Sequence, residues 1–292
     1  MAQRAIWGWA LFAGLLAVES AGVPATQANE TAQRAAAMQL VPFDRLTPQA
    51  SEKILAIMEK PSLFRRVPPE VTQCDPDMFM HCVRSPEVVI NIWQLMGVTT
   101  VDAKRTGNFS WSGTDGAGTT GDVELIYGSE RLHVMYCDGY YEGPLLRRKI
   151  LGKAVMLLQT TPTVGEDKAP VMTSQLDVFL QFENAGADII AKTLSPLIAS
   201  TADANFTETV SFVSKLSQAS ERNGPGMQNL AGRLQNVQAN VRQEFARTAA
   251  LVNQRAATRT TSTQSASTMP QSPEDLGLQP EDVARLPGAR TR

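Results

Sequence analysis

Only two histidines occur in the 292-residue chain, His81 and His133. On an extended segment His133, Met135 and Cys137 share one face, and His81 stands beside Cys82 in a stretch of helical pattern, so a mixed His/Cys metal site is one chemistry these residues could support. Their spacing matches no compact zinc pattern, and the preferred reading is burial as structural side chains, with neither a metal nor a cofactor expected. A second constellation is YCDGYYEGP. Strand alternation puts Tyr136, Asp138 and Tyr140 on one side. Facing inward, a tyrosine-carboxylate pair could orient a ligand or pass a proton, and a buried carboxyl would hold its proton more tightly. Facing outward, the same residues are a solvated strand edge with cross-strand aromatic packing, which is the preferred reading.

The remaining polar residues suggest less. Asp122, Glu124 and Glu183 read as outward strand positions rather than catalytic pairs. Trp93 and Trp111 suit a core or the wall of a cavity. The glycine-rich TDGAGTTGD leads into a strand rather than a helix, so it cannot present helix amides to a phosphate. No Ser-His-Asp or Cys-His arrangement can be argued from the spacings.

Composition narrows the class. The chain is 43% hydrophobic and 19% charged with a formal net charge of -2, so no whole-chain field draws it to nucleic acid or to an anionic membrane. The start, MAQRAIWGWALFAGLLAVESAGVPA, reads as a secretory signal over residues 1–25: Arg4, an apolar stretch shorter than the ~20 residues of a membrane span, then small residues. An uncleaved N-terminal anchor is the rival reading. Export to the periplasm or beyond is therefore expected. Three cysteines, Cys74, Cys82 and Cys137, allow one disulfide at most, and burial as small hydrophobes is preferred.

Elements that could position these groups follow from the punctuation. Residues 26–66 read as an extension with one helix, opened by Thr47 as cap and Pro48 at the first position. A short strand is expected near Val71–Gln73. Asp75-Pro76 and Ser85-Pro86 are cap-plus-proline openings of two short helices. Six strand-like segments then run from VTTVDAKR to VMTSQLDVFLQF, separated by Gly, Asp and Asn breaks that suit hairpins. After Gly186 the period changes from two to three-and-four, and a helix is expected over about 187–218, kinked or broken by Pro196 around Ser195–Thr201. An accessory helix at Met227–Asn253 and a disordered tail over 258–292 complete the outline.

The order strand, helix, helix, six strands, long helix resembles the helix-grip fold of the START-like superfamily, the polyketide cyclase and Bet v 1-like group. The likeness covers about 67–222; RSPEVVINIWQLMGVTTVDAKRTG looks like that group's second helix entering its second strand, and LDVFLQF leads into the final helix. It implies an α+β fold in which a curved antiparallel sheet of six to seven strands wraps a long C-terminal helix, with an apolar cavity between them. The resulting expectation is an exported, non-enzymatic carrier of an apolar small molecule or lipid, whose ligand would meet Trp111, His133, Tyr136, Asp138, Tyr140, Phe182, Ile190 and Leu194. The alternatives are an envelope scaffold that recruits a protein partner through 227–253, and a cyclase-like enzyme working through Asp138.

Overall fold

The computed structural model describes residues 27–143, 149–165, 168–183 and 187–267, and within its helices leaves aside the side chains of 27–28, 187–197 and 261–267. The expected leader at 1–25 and most of the expected tail lie outside these residues.

Two helices open the chain, α1 (Gln27–Gln39) and α2 (Pro48–Glu59). Thr47 caps α2, its hydroxyl accepting from the Ala50 amide at 3.2 Å. Strands β1 (Leu63–Arg66) and β2 (Glu70–Gln73) precede the helices α3 (Pro76–Arg84) and α4 (Pro86–Leu95). Asp75 caps α3 by accepting from the Asp77 amide at 2.9 Å. Six further strands follow: β3 (Asp102–Gly107), β4 (Ser110–Thr114), β5 (Thr119–Gly128), β6 (Leu132–Tyr141), β7 (Ile150–Val164) and β8 (Pro170–Phe182). Three helices end the described chain, α5 (Ala187–Arg222), α6 (Gly224–Arg233) and α7 (Ala239–Ser267).

The strands form one curved antiparallel sheet of eight in the order β1-β8-β7-β6-β5-β4-β3, with β2 also paired to β8. The meander is the expected one, and the sheet gains the strand β1. That strand pairs Leu63 with Leu180 and Arg66 with Asp177. Its four residues, LFRR, are too few and too charged to announce a strand.

Both faces of the sheet are covered. On the inner face Met156, Leu158, Val178 and Leu180 are fully buried in one cluster with Phe206 and Val210 of α5. On the outer face Val134, Val155, Leu157 and Phe179 pack with Ile54, Ile57 and Met58 of α2 and Ala37 of α1. Two-sided cover explains why Phe179 interrupts the alternation of LDVFLQF: it is an outer-face residue with 0% exposure, its ring 4.9 Å from that of Phe64. The N-terminal extension thus closes the back of the sheet, and α1 occupies a stretch in which the sequence shows little pattern.

The C-terminal half departs from expectation in two places. Helix α5 is continuous through Pro196 for 36 residues rather than broken there, and a buried face of Ala202, Phe206, Val210, Val213 and Leu216 holds its later part on the sheet and neighbouring helices. The single accessory helix is in fact two. Asn223 caps α6, accepting from the Gly226 amide at 2.9 Å. Helix α7 extends to Ser267, well past the point at which a disordered tail was expected, and places Val241, Phe245, Ala249 and Val252 in the main core. Polar ties fix it there: Arg255 reaches Asp75 at 2.9 Å and Asp77 at 2.8 Å, and Arg259 reaches Glu221 at 2.7 Å.

Candidate functional site

A cleft of about 580 Å³ opens where α3, the β3–β4 turn and α7 meet. Its walls follow from helical spacing. Asp77, Met80, His81 and Arg84 share the cleft side of α3, while Val241, Glu244, Thr248 and Leu251 recur at three and four along α7. Strand β3 adds Arg105, and the turn after it adds Asn108 and Phe109.

Beside the cleft lies a buried charge pair. Glu87, 2% exposed, accepts from Arg105 Nε at 2.6 Å and from Trp111 Nε1 at 2.7 Å. Arg105 also donates to the Ser85 hydroxyl at 3.2 Å and to the Arg84 carbonyl at 3.0 Å, and its guanidinium lies 4.8 Å from the centre of the Trp111 ring. A carboxylate taken out of water needs such compensation at every oxygen, and Glu87 receives it.

The two histidines flank this pair. Arg84 Nε donates to His133 Nε2 at 3.2 Å, and its Nη2 donates to the Ser129 carbonyl at 3.2 Å. An arginine can only donate, so His133 Nε2 is the acceptor and the ring proton sits on Nδ1. That Nδ1 is buried and has no partner among the described residues. Burial, and then the Arg84 charge, pull the His133 imidazole down to about 4. His81 stacks on Phe245 at 5.7 Å between ring centres, and its buried Nε2 has no partner among the described residues. Burial, and then Arg105, pull it down to about 4 as well. Both rings are neutral at pH 7.

The residues picked out from the sequence fall on two faces. Trp111, His133 and Phe182 point inward, and the Trp111 indole proton is already given to Glu87. Tyr136 points outward beneath α2, with Lys53 Nζ 3.8 Å from its ring centre and its hydroxyl donating to Asp138 at 3.1 Å. Burial, and then Asp138, push the Tyr136 hydroxyl above its ordinary range. Asp138 is exposed, and Tyr140 on the same face carries Lys149 Nζ 3.4 Å from its ring centre. The tyrosine-carboxylate pair and His133 are thus separated by the thickness of the sheet and do not form one site. The side chains of Ile190 and Leu194 lie outside the described residues.

Where α5 packs through Phe206 and Val210, the strand side is filled: Met156, Leu158, Val178 and Leu180 have no exposed surface. Sequence reasoning missed Arg84, Glu87, Arg105 and Phe109, and read the α7 stripe only as part of an accessory helix. One signal was present: Glu87 is the single charge in the mostly apolar PEVVINIW, and such a carboxylate must find a cation. The three cysteines are free and buried, and burial pushes the Cys74 thiol up to about 12. Among the described residues no three His, Cys, Asp or Glu side chains gather where they could hold a metal.

No protein-family model matches the chain, and no curated protein matches it. Among solved structures, it is similar to the hypothetical protein jhp0584 from Helicobacter pylori at 10% identity and TM-score 0.36, covering 52% of this chain and 89% of that one. It is similar to apo dicamba monooxygenase at 11% identity and TM-score 0.32, covering 70% of this chain and 60% of that one. The di-domain ARO/CYC BexL aligns at 11% identity and TM-score 0.25, over 52% of each chain. These likenesses are slight and carry no argument about activity; the helix-grip arrangement stands on the sheet and helices described above.

Proposed function

We propose that the protein is an exported binding protein for a small, partly apolar molecule, and that the ligand sits in the cleft between α3 and α7 rather than beneath α5. The carrying observation is the cleft itself. Its volume of about 580 Å³ falls in the range of roughly 300–1,000 Å³ usual for small-molecule sites, and its largely polar lining is interrupted by four apolar side chains, Met80, Phe109, Val241 and Leu251. Met80 and Val241 supply part of the apolar wall. Phe109 and Leu251, 57% and 52% exposed, stand at the cleft as large apolar side chains in contact with solvent.

The apolar stripe of 227–253 is largely packed into the protein's own core, which weighs against the scaffold reading through that helix. The enzyme reading through Asp138 would have to work on the outer face, away from the cleft.

Native mass spectrometry of protein purified from its own host, before and after organic extraction, tests the reading. A Thr248→Trp variant fills the cleft from the α7 wall. A small molecule retained by the natural chain and missing from the variant is the expected result. An equal load on both, or no load together with no response to added amphiphiles, would overturn it.

A further inference from the structure

We infer that the ligand of this cleft carries one anionic head, taken by Arg84, and that His133 is the residue that positions Arg84 to receive it. This rests on the cleft being the binding site. The ion pairs among the described residues single out the cleft's free cation. Arg105 is paired with Glu87 at 2.6 Å, and Arg255 is shared between Asp77 at 2.8 Å and Asp75 at 2.9 Å. His81 is neutral at pH 7. That leaves Arg84 as the cleft-lining cation with no carboxylate partner among the described residues. Glu244, exposed on the facing α7 wall, has no ion-pair partner among them either.

Arg84 is fixed before any ligand arrives. Its Nε is held by His133 and its Nη2 by the Ser129 carbonyl, at 3.2 Å each, which leaves Nη1 without a protein partner among the described residues. A long, rotamer-rich side chain held in this way has already lost freedom it would otherwise lose on binding. His133 is itself locked: it has 0% exposure and sits opposite Gly128 in the β5–β6 pairing, where an added Cβ would lie 3.3 Å from the ring. A guanidinium gains ion–ion attraction from a carboxylate or sulfonate that a neutral hydroxyl cannot supply, so Nη1 favours an anion over a hydroxyl. Glu244 across the cleft disfavours a second negative charge on the same ligand. A monoanion, carboxylate or sulfonate, on a short apolar body that reaches Met80, Phe109, Val241 and Leu251 satisfies all of these groups.

Four probes with the same eight-carbon chain separate the possibilities: octanoate, octanesulfonate, 1-octanol and octyltrimethylammonium, titrated calorimetrically into the natural chain, Arg84→Gln, His133→Gln, His133→Leu and Thr248→Trp. The two anions are expected to bind roughly ten- to a hundredfold tighter than octanol. Arg84→Gln should erase that gap and leave octanol affinity in place. His133→Gln keeps an acceptor for Arg84 and should retain the gap, whereas His133→Leu should narrow it. Unchanged circular dichroism and retained octanol affinity in the Leu variant itself show that its narrowed gap does not reflect misfolding, and the Gln variant shows that an acceptor restores it. Octanol binding as tightly as octanoate, with both blocked by Thr248→Trp, would overturn the anionic head and leave the cleft as the site. Failure of all four probes, or binding untouched by Thr248→Trp, would overturn both.

Discussion

Lowering the pH from 7.5 to 5 should destabilise this protein through its two histidines. Both rings hold their proton more weakly in the folded chain, at about 4, than their ordinary 6.5. The unfolded chain therefore binds more protons between those values, and stability is complete above about 6.5 and falls as the pH drops toward about 4. At ~1.4 kcal/mol per tenfold change in proton affinity, each ring is worth roughly 3 kcal/mol over the whole window and about 2 kcal/mol of that is lost by pH 5. Together they account for about 4 kcal/mol between pH 7.5 and 5, a large part of the ~5–15 kcal/mol that holds a typical domain. Asp75, whose carboxyl burial raises above its usual range, contributes with the opposite sign, so the comparison must be between variants. Urea unfolding at the two pH values, followed by far-ultraviolet circular dichroism, is the assay. His81→Leu and His133→Gln should each recover about half of the loss, whatever each does to stability at pH 7.5. If the natural chain and both variants lose stability by the same amount, the burial assigned to these rings is wrong.

Arg66 grips Asp177 through two bonds of 2.7 and 2.8 Å, and Asp177 has 0% exposure, so Arg66→Leu should cost roughly 3–5 kcal/mol in urea unfolding by stranding a buried charge. Phe179→Ala should cost a similar roughly 3–5 kcal/mol, with the loss read from the same unfolding curves; a cost under 1 kcal/mol would mean that α2 does not cover that face. The three thiols should resist a disulfide reagent at pH 8 in the folded protein and all react in denaturant, because the thiolate is the reactive form and burial disfavours it. A chain ended after Gln238 should bind a dye specific for exposed apolar surface, since α3 and α5 lose the cover of Phe245 and Val252.

The fold was legible where local chemistry is strong. Thr47-Pro48, Asp75-Pro76 and Ser85-Pro86 each open a helix where the sequence says, and the change of period after Gly186 marks the passage from β8 to α5. Two-sided burial was also written in the chain, as the unbroken apolar run Ala154–Leu158 and as Phe179, although alternation alone assigned β8 a solvated face. What could not be read is which face of β6 meets which helix. Period two states that His133 and Tyr136 lie on opposite sides, not which side is covered by α2 and which by α3. The cleft was hidden for a related reason: its walls come from residues 77–85, 105–109 and 238–251, and no local spacing links them. Helix α7 was set apart as accessory because Gly224-Pro225-Gly226 breaks the chain, and a break in sequence does not prevent re-docking.

Arg255 closes on the cap residue of α3 across 180 positions of sequence. A ribosome delivers α3 early and α7 late, so during synthesis the greasy side of α3 waits uncovered while the whole meander is made. Contacts this remote form slowly, since so much chain must be brought into place first. The last helix is therefore the latch of the molecule, and until it arrives that side of α3 has no cover.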